Sequence, residues 1–333
     1  MDEREGDMDI MIRGVAFGAA ALCAALMGFA IQRGATCTVA AVEQVVNQRK
    51  AGRLIALAEA SLWVCAGLLA AHALHLSMRW PAGHALTVRT LAGAVLLGLG
   101  AFANRACVFG AIARFGSGEW VYALTPVGFY LGSLLGSLHE VAEPPALAGG
   151  TAGFAAPAVA WIVAVVFAWR LVSACRRGPA GPREWVTARI WSPHAATSVI
   201  GVAFLAMLLL VGAWAYTDAL ADLARGMTQG LAGRLLLAAC LLAGAVVGGW
   251  TAGRFRPLRV GAIPALRCLA GGALMGWGSL LIPGSNDGLI LVGLPMLWPY
   301  AWTAFLTMCV SIGIALWIQG RIEAGWRGAV STP

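Results

Sequence analysis

Residues 89–133 read RTLAGAVLLGLGAFANRACVFGAIARFGSGEWVYALTPVGFYLGS, and residues 267–311 read RCLAGGALMGWGSLLIPGSNDGLILVGLPMLWPYAWTAFLTMCVS. The second stretch is a copy of the first, displaced by 178 residues without a gap, and 14 of the 45 aligned positions are identical. The shared residues include Arg89/Arg267, Gly93/Gly271, Gly98/Gly276, Gly100/Gly278, Gly110/Gly288, Trp120/Trp298 and Tyr122/Tyr300. Each copy is apolar and is interrupted at its centre, by Asn104–Cys107 in one and by Pro283–Asp287 in the other. Duplicated membrane segments broken at matching places are the sequence sign of a transporter whose site lies between the two halves.

The rest of the chain fits a membrane protein. Hydrophobic residues make up 60% and charged residues 11%, where a soluble chain carries about 25% charged residues. Nine segments approach the roughly 20 apolar residues that a spanning helix needs: about 14–31, 54–76, 88–103, 120–138, 147–172, 197–216, 231–252, 263–282 and 298–319. Three shorter apolar stretches, 36–47, 105–114 and 286–294, read as half-helices, because non-helical backbone at membrane depth is tolerated only where protein or a water cavity satisfies it. The expected fold is an all-α polytopic membrane protein of about nine transmembrane helices plus short half-helices, arranged as two inverted repeats.

Charge sets the expected orientation. Arg49, Lys50 and Arg53 follow the first pass; Arg176, Arg177, Arg183 and Arg189 the fifth; Arg254, Arg256, Arg259 and Arg267 the seventh; Arg321 and Arg327 the ninth. All lie on one side if the N-terminus is outside, and Lys/Arg-rich short loops stay cytoplasmic. The other side receives the acids Asp2, Glu3, Glu5, Asp7 and Asp9, the His139–Glu143 loop, and Asp218 and Asp222. The acidic N-terminus has the wrong sign for a signal peptide. This predicts an extracytoplasmic tail over 1–13, a first repeat over 14–146 and a spacer helix with a basic cytoplasmic loop over 147–196. A second repeat then fills 197–320, and 321–333 is a cytoplasmic tail. The net charge of +8 belongs to these loops, and no basic run with interleaved aromatics points to nucleic acid.

Enzymatic and metal chemistry find little footing. The eight cysteines form no CxxC, so neither a disulfide framework nor a zinc site is expected. His72 and His75 read as interfacial residues rather than metal ligands. No GxxxxGK[ST] motif offers direct ATP drive. No cofactor is expected.

The candidate site lies at the breaks. Thr36, Asn104 and either Ser285 or Asn286 can cap the half-helices that follow them. Cys37 and Cys107 then fall at two helix starts, and Asp287 at the third, where it either stabilises the start or handles a proton. Ser285 aligns with Cys107 in the repeat. A helix start leaves backbone N–H groups unpaired and carries about half a positive charge, which broken membrane helices use to hold anions. Arg33 and Arg105 add full charges beside the cysteines. A thiol is a weak donor and a soft, polarisable partner, so the set suits an anion that contains sulfur. The plain alternative is that the glycines and cysteines serve helix packing, that Arg33 snorkels to an interface, and that Glu43 and Glu119 pair with arginines.

The segments 273–308 (ALMGWGSLLIPGSNDGLILVGLPMLWPYAWTAFLTM), 31–42 (IQRGATCTVAAV) and 104–120 (NRACVFGAIARFGSGEW) resemble the YeeE/YedE sulfur-transport family. The resemblance runs from about 14 to 319. It implies a bacterial inner-membrane importer of a sulfur-containing anion, thiosulfate in the first place, passed along cysteine thiols by transient S–H hydrogen bonds. It makes Cys37 and Cys107 the relay thiols. Family members can carry a further essential cysteine in the second half, where this chain has Ser285. The basic cytoplasmic loops offer a docking place for a cytosolic sulfur-carrier or rhodanese-like partner. The alternatives are a membrane thiol oxidoreductase or sulfurtransferase, with Cys37 and Cys107 reacting covalently, and a non-transporting subunit that docks such a carrier.

Overall fold

The structure, a computed structural model, describes residues 2–76, 80–138, 146–147, 157–176, 188–227, 229–282 and 284–330. The chain is built from helices α1 (Asp2–Gly34), α2 (Thr38–Gln48), α3 (Gly52–Ala73), α4 (Val88–Asn104), α5 (Val108–Gly116), α6 (Leu124–Ser137) and α7 (Pro157–Arg176). It continues with α8 (Pro193–Val211), α9 (Tyr216–Ala224), α10 (Leu231–Thr251), α11 (Ala262–Leu281), α12 (Asn286–Gly288, extended by a π turn Leu289–Gly293) and α13 (Pro299–Val330). A two-residue antiparallel ribbon pairs Gly83–His84 with Ala146–Leu147.

The offset of 178 extends well beyond the stretch that revealed it. It carries α3 onto α10, α4 onto α11, and α5 onto α12. It also carries Cys37 onto Ala215 and α2 onto α9. The molecule therefore holds four half-helices rather than three. The fourth, α9, lies partly inside what the hydropathy of 197–216 presents as the end of a pass. Its break is the left-handed Gly212 (φ 91°), the partner of Gly34. The α11–α12 break uses Gly284 (φ 91°) in the same way. The first repeat spends non-glycine residues at these turns, Ala35 (φ 46°) and Arg105 (φ 57°), which costs on the order of 1–2 kcal/mol each.

Among the described residues, six helical stretches are long and apolar enough to cross a membrane by themselves, with α1–α2 and α4–α5 each counting as one stretch. A seventh is the pair α11 and α12, bent by 54° at its break. The count of nine is thus not reproduced by length and composition alone. The expected passes at 120–138 and 147–172 correspond to α6, with 14 residues, and to α7, whose apolar part is Trp161–Ser173. Most of the loops His139–Glu143 and Cys175–Pro193 lies outside the described residues.

Packing interlocks the two halves. α11 lies between α4 and α6, α13 packs on α4, α10 on α1, and α3 on α8. Under the offset, the α6–α11 contact becomes the α13–α4 contact, and α1–α10 becomes α8–α3. At the α4–α11 crossing the two backbones meet through glycines. A Cβ on Gly93 would lie 2.7 Å from the Gly278 carbonyl oxygen, and one on Gly100 would lie 2.7 Å from that of Gly271. These contacts exchange with each other under the offset, and they require α4 and α11 to run antiparallel. Equivalent helices thus point in opposite directions, as inverted repeats do. Small residues at such crossings let backbones approach closely and supply the dispersion contact that holds membrane helices together.

Helix α7 is fixed to α3 and α8 by a half-buried cluster around Glu59. Arg170 Nε donates to Glu59 Oε1 of α3 at 3.0 Å, and His194 Nδ1 at the start of α8 lies 2.6 Å from Glu59 Oε2. Trp63 and Phe167 add an edge-to-face contact.

Candidate functional site

The half-helix starts come together. Cys37, Cys107, Ala215 and Ser285 occupy the positions just before α2, α5, α9 and α12, and none of the four bonds its own helix start through its side chain. Two of the starts are instead tied to a residue at another break. The Thr38 N–H of α2 donates to Cys107 Sγ at 3.1 Å. The Thr217 N–H of α9 donates to the Asp287 carboxylate at 3.3 Å, and the Thr217 hydroxyl donates to it as well. Each tie joins the two half-helices of one repeat. The first repeat uses a thiol where the second uses a carboxylate. The repeats are joined through Thr38 Oγ1, which donates to Asn286 Oδ1 at 3.1 Å.

The two sulfur atoms, Cys107 Sγ and Cys37 Sγ, lie 3.8 Å apart. Cys107 is fully buried and Cys37 partly so. Gly110 makes their approach possible, since a Cβ there would lie 2.5 Å from Cys37 Sγ. At the four breaks some donors are unspent. Thr36 Oγ1, Ser285 Oγ, Asn286 Nδ2 and Trp214 Nε1 are buried and have no hydrogen-bond partner among the described residues. Leaving one such group unpaired costs about 1–3 kcal/mol. All four sit at a half-helix start or one residue from it, where an anion can accept from them.

Two cavities of very different size open at the breaks. At one end of the molecule a vestibule of about 330 Å³ descends past His84, Asp218, Asp222, Arg225 and Arg234 to Ala215, Gly284 and Gly288. Asp222 and Arg234 form an ion pair in its wall. From the opposite end a pit of about 10 Å³ reaches Cys37, between Thr36, Arg53, Leu57 and Thr197. That is space for about one water molecule. The pit and part of the vestibule are equivalent under the repeat, since Ala35–Cys37 map onto Ala213–Ala215. The same position is thus open in one repeat and closed in the other.

The residues singled out from sequence separate into groups. Cys37, Cys107, Asn286 and Asp287 lie in the cluster or bond into it, and Ser285 precedes α12 beside them. Asn104 holds the turn behind Cys107, donating to Ala106 O at 2.8 Å and accepting from Thr125 Oγ1 at 3.1 Å. It does not cap α5, and Thr36 does not cap α2, because the chain leaves helical geometry until Cys107 and Cys37. Arg33 turns away from the thiols. Its guanidinium donates to Ala188 O and to Thr251 Oγ1, and lies over the Phe29 ring at 4.8 Å. Arg105 is exposed and faces a separate cavity. Glu119 pairs with Arg114 at 3.4 Å. Thr38, Trp214 and Thr217 are missing from the sequence reading. The signal for the last two is the offset itself, which lays Gly34–Gln48 over Gly212–Gly226 with Gly34/Gly212, Ala35/Ala213 and Ala41/Ala219 shared. Among the described residues no group of three His, Cys, Asp or Glu side chains has metal-site geometry.

No curated protein matches the chain. A protein-family model described as sulphur transport matches residues 33–315. That span takes in all four breaks, both thiols and the whole α4–α11 crossing. The chain is therefore an integral membrane protein that belongs to the sulphur-transport family, the one its cysteine and PGSND segments resemble.

Proposed function

We propose that this protein imports thiosulfate, or a small sulfur-containing anion much like it, through the constriction at Cys37 and Cys107. The observation that carries this reading is the thiol pair at converging helix starts, with a 10 Å³ pit at Cys37 and a 330 Å³ vestibule at the repeat-equivalent Ala215. The vestibule is the entrance and faces the outside, with the N-terminus on that side. The arginine-rich end faces the cytoplasm of a bacterial cell, with the C-terminus. Helix starts attract the anion electrostatically. Thr36, Ser285, Asn286 and Trp214 offer it hydrogen bonds. The thiols, soft and only weakly donating, pass a sulfur atom along without holding it tightly. The Asp287 side chain holds the α9 start through Thr217, and the substrate is taken at the thiol-bearing α2 and α5 starts. Ser285 continues the donor line in the second repeat.

Purified protein in liposomes tests the reading. Labelled thiosulfate should accumulate inside, and unlabelled thiosulfate should compete far better than sulfate. Equal competition by sulfate would remove the role of the thiols. A stable persulfide on Cys37 or Cys107 after turnover would replace transport by sulfur transfer.

A further inference from the structure

The arginine-rich end has a second cavity, of about 210 Å³, beside the α4–α5 break. Its wall includes Asn104, Arg105, Arg114, Tyr122, Arg259 and Arg267. Arg114 is compensated by Glu119 and lies over the Tyr122 ring at 5.2 Å. Arg105, Arg259 and Arg267 have no carboxylate partner among the described residues. The cavity thus carries four guanidinium groups against one carboxylate. The vestibule at the other end is balanced, with Asp218 and Asp222 facing Arg225 and Arg234.

This imbalance is not inherited from the duplication. Under the offset Arg105, Arg114 and Arg259 correspond to Pro283, Val292 and Pro81, and only Arg267 has an arginine partner, Arg89. The repeat equivalence therefore does not account for Arg105, Arg114 or Arg259. Guanidinium groups crowded around one cavity repel one another, and an anion relieves that repulsion while accepting paired N–H bonds from their planar forks. Asn104 and Arg105 place the cavity two to three residues along the chain from Cys107. At about 30 Å³ per water in the liquid, 210 Å³ holds a small ion together with several waters, in contrast to the 10 Å³ pit at Cys37.

We infer that this chamber is a second anion-binding site, which takes a small divalent sulfur oxyanion after it passes Cys107 and before it leaves the protein. The inference rests on the transport reading for its place in the sequence of events, but the chamber's affinity can be measured without transport. The partly hydrated ion there is held by charge rather than by soft contacts, so the chamber discriminates sulfate from thiosulfate less than the thiols do. Its affinity falls with salt, because its guanidinium groups are open to solvent.

Equilibrium binding of labelled thiosulfate to the purified full chain in detergent reads the chamber. The C37A/C107A variant should keep one saturable, salt-sensitive class of site. Adding R259Q/R267Q should raise its Kd at least about tenfold, and R259K/R267K should raise it less. In liposomes R259Q/R267Q alone should slow saturated uptake while leaving the external KM within about twofold of wild type. Loss of all binding in C37A/C107A would overturn the inference, as would unchanged affinity in R259Q/R267Q. If that pair does not purify in monodisperse form, the single Arg259→Gln on the exposed loop decides, with unchanged affinity again counting against the chamber. If wild type binds thiosulfate here but takes up no sulfur anion, the transport reading fails while the site stands.

Discussion

Gly110 and Gly288 are equivalent in the two repeats, yet alanine should be harmful only at the first. At Gly110 a Cβ would lie 2.5 Å from Cys37 Sγ, 3.0 Å from Cys37 Cβ and 3.1 Å from Ala106 Cβ. Rotating the Cys37 side chain moves its sulfur away but not its Cβ, so the start of α2 must shift as well. Overpacking of this kind costs roughly 1–3 kcal/mol. The functional loss comes from the thiols, which at 3.8 Å have little margin for separation. Removing one donor from a desolvated ion costs roughly 1–3 kcal/mol, and at about 1.4 kcal/mol per decade the uptake rate falls about ten- to hundredfold. At Gly288 an added Cβ meets nothing within 4 Å, and alanine there should keep uptake within about twofold. The assay is liposome uptake of labelled thiosulfate at matched protein, with melting temperature and Cys37 alkylation measured in parallel. Gly110→Ala transporting like wild type with unchanged Cys37 alkylation would refute the close thiol approach. Equal damage at both glycines would refute the asymmetry between repeats.

Cys107→Ala leaves the buried Thr38 N–H without its acceptor and the ion without a donor, so uptake should nearly vanish. Cys107→Ser keeps an acceptor but is smaller and harder, and should restore only part of the rate; full activity of both variants would make the cysteine a packing residue. Asp287→Asn replaces a carboxylate that accepts two bonds from Thr217 with a group that can accept at one oxygen only. It should lower the melting temperature and slow uptake, and a variant with wild-type melting and uptake at every pH would reduce Asp287 to a spectator. A single reporter cysteine in the loop between Arg254 and Arg259 should resist an impermeant reagent in intact cells, and its ready labelling would reverse the proposed orientation.

Hydropathy and the 178-residue offset determine much of this protein on their own. Membrane insertion, helical class and broken helices follow from local composition, because a bilayer leaves unpaired backbone so costly that apolar stretches must be helical or internally satisfied. The starts at Cys37, Cys107 and Ser285 are legible for the same reason, since polar residues and glycines in an apolar run mark where the helix stops. The fourth break is harder to see. Gly212–Ala215 is almost as apolar as its surroundings, and only the repeat offset distinguishes it.

What the sequence does not contain is the pairing between breaks. The Thr38–Cys107, Thr217–Asp287 and Thr38–Asn286 bonds join residues 69, 70 and 248 positions apart. The first two fold each repeat back on itself, and the third, Thr38–Asn286, joins the halves that the α4–α11 crossing interlocks. The same packing decides which charges matter. Arg33 lies four residues from Cys37 but is drawn off to Ala188 and Thr251, while Arg105 turns with the left-handed end of α4 into a chamber that Arg259 and Arg267 complete from the other repeat. Neighbours along the chain set which side chains are available; the direction each one takes is a property of the helix end that carries it and of the second repeat packed against that end.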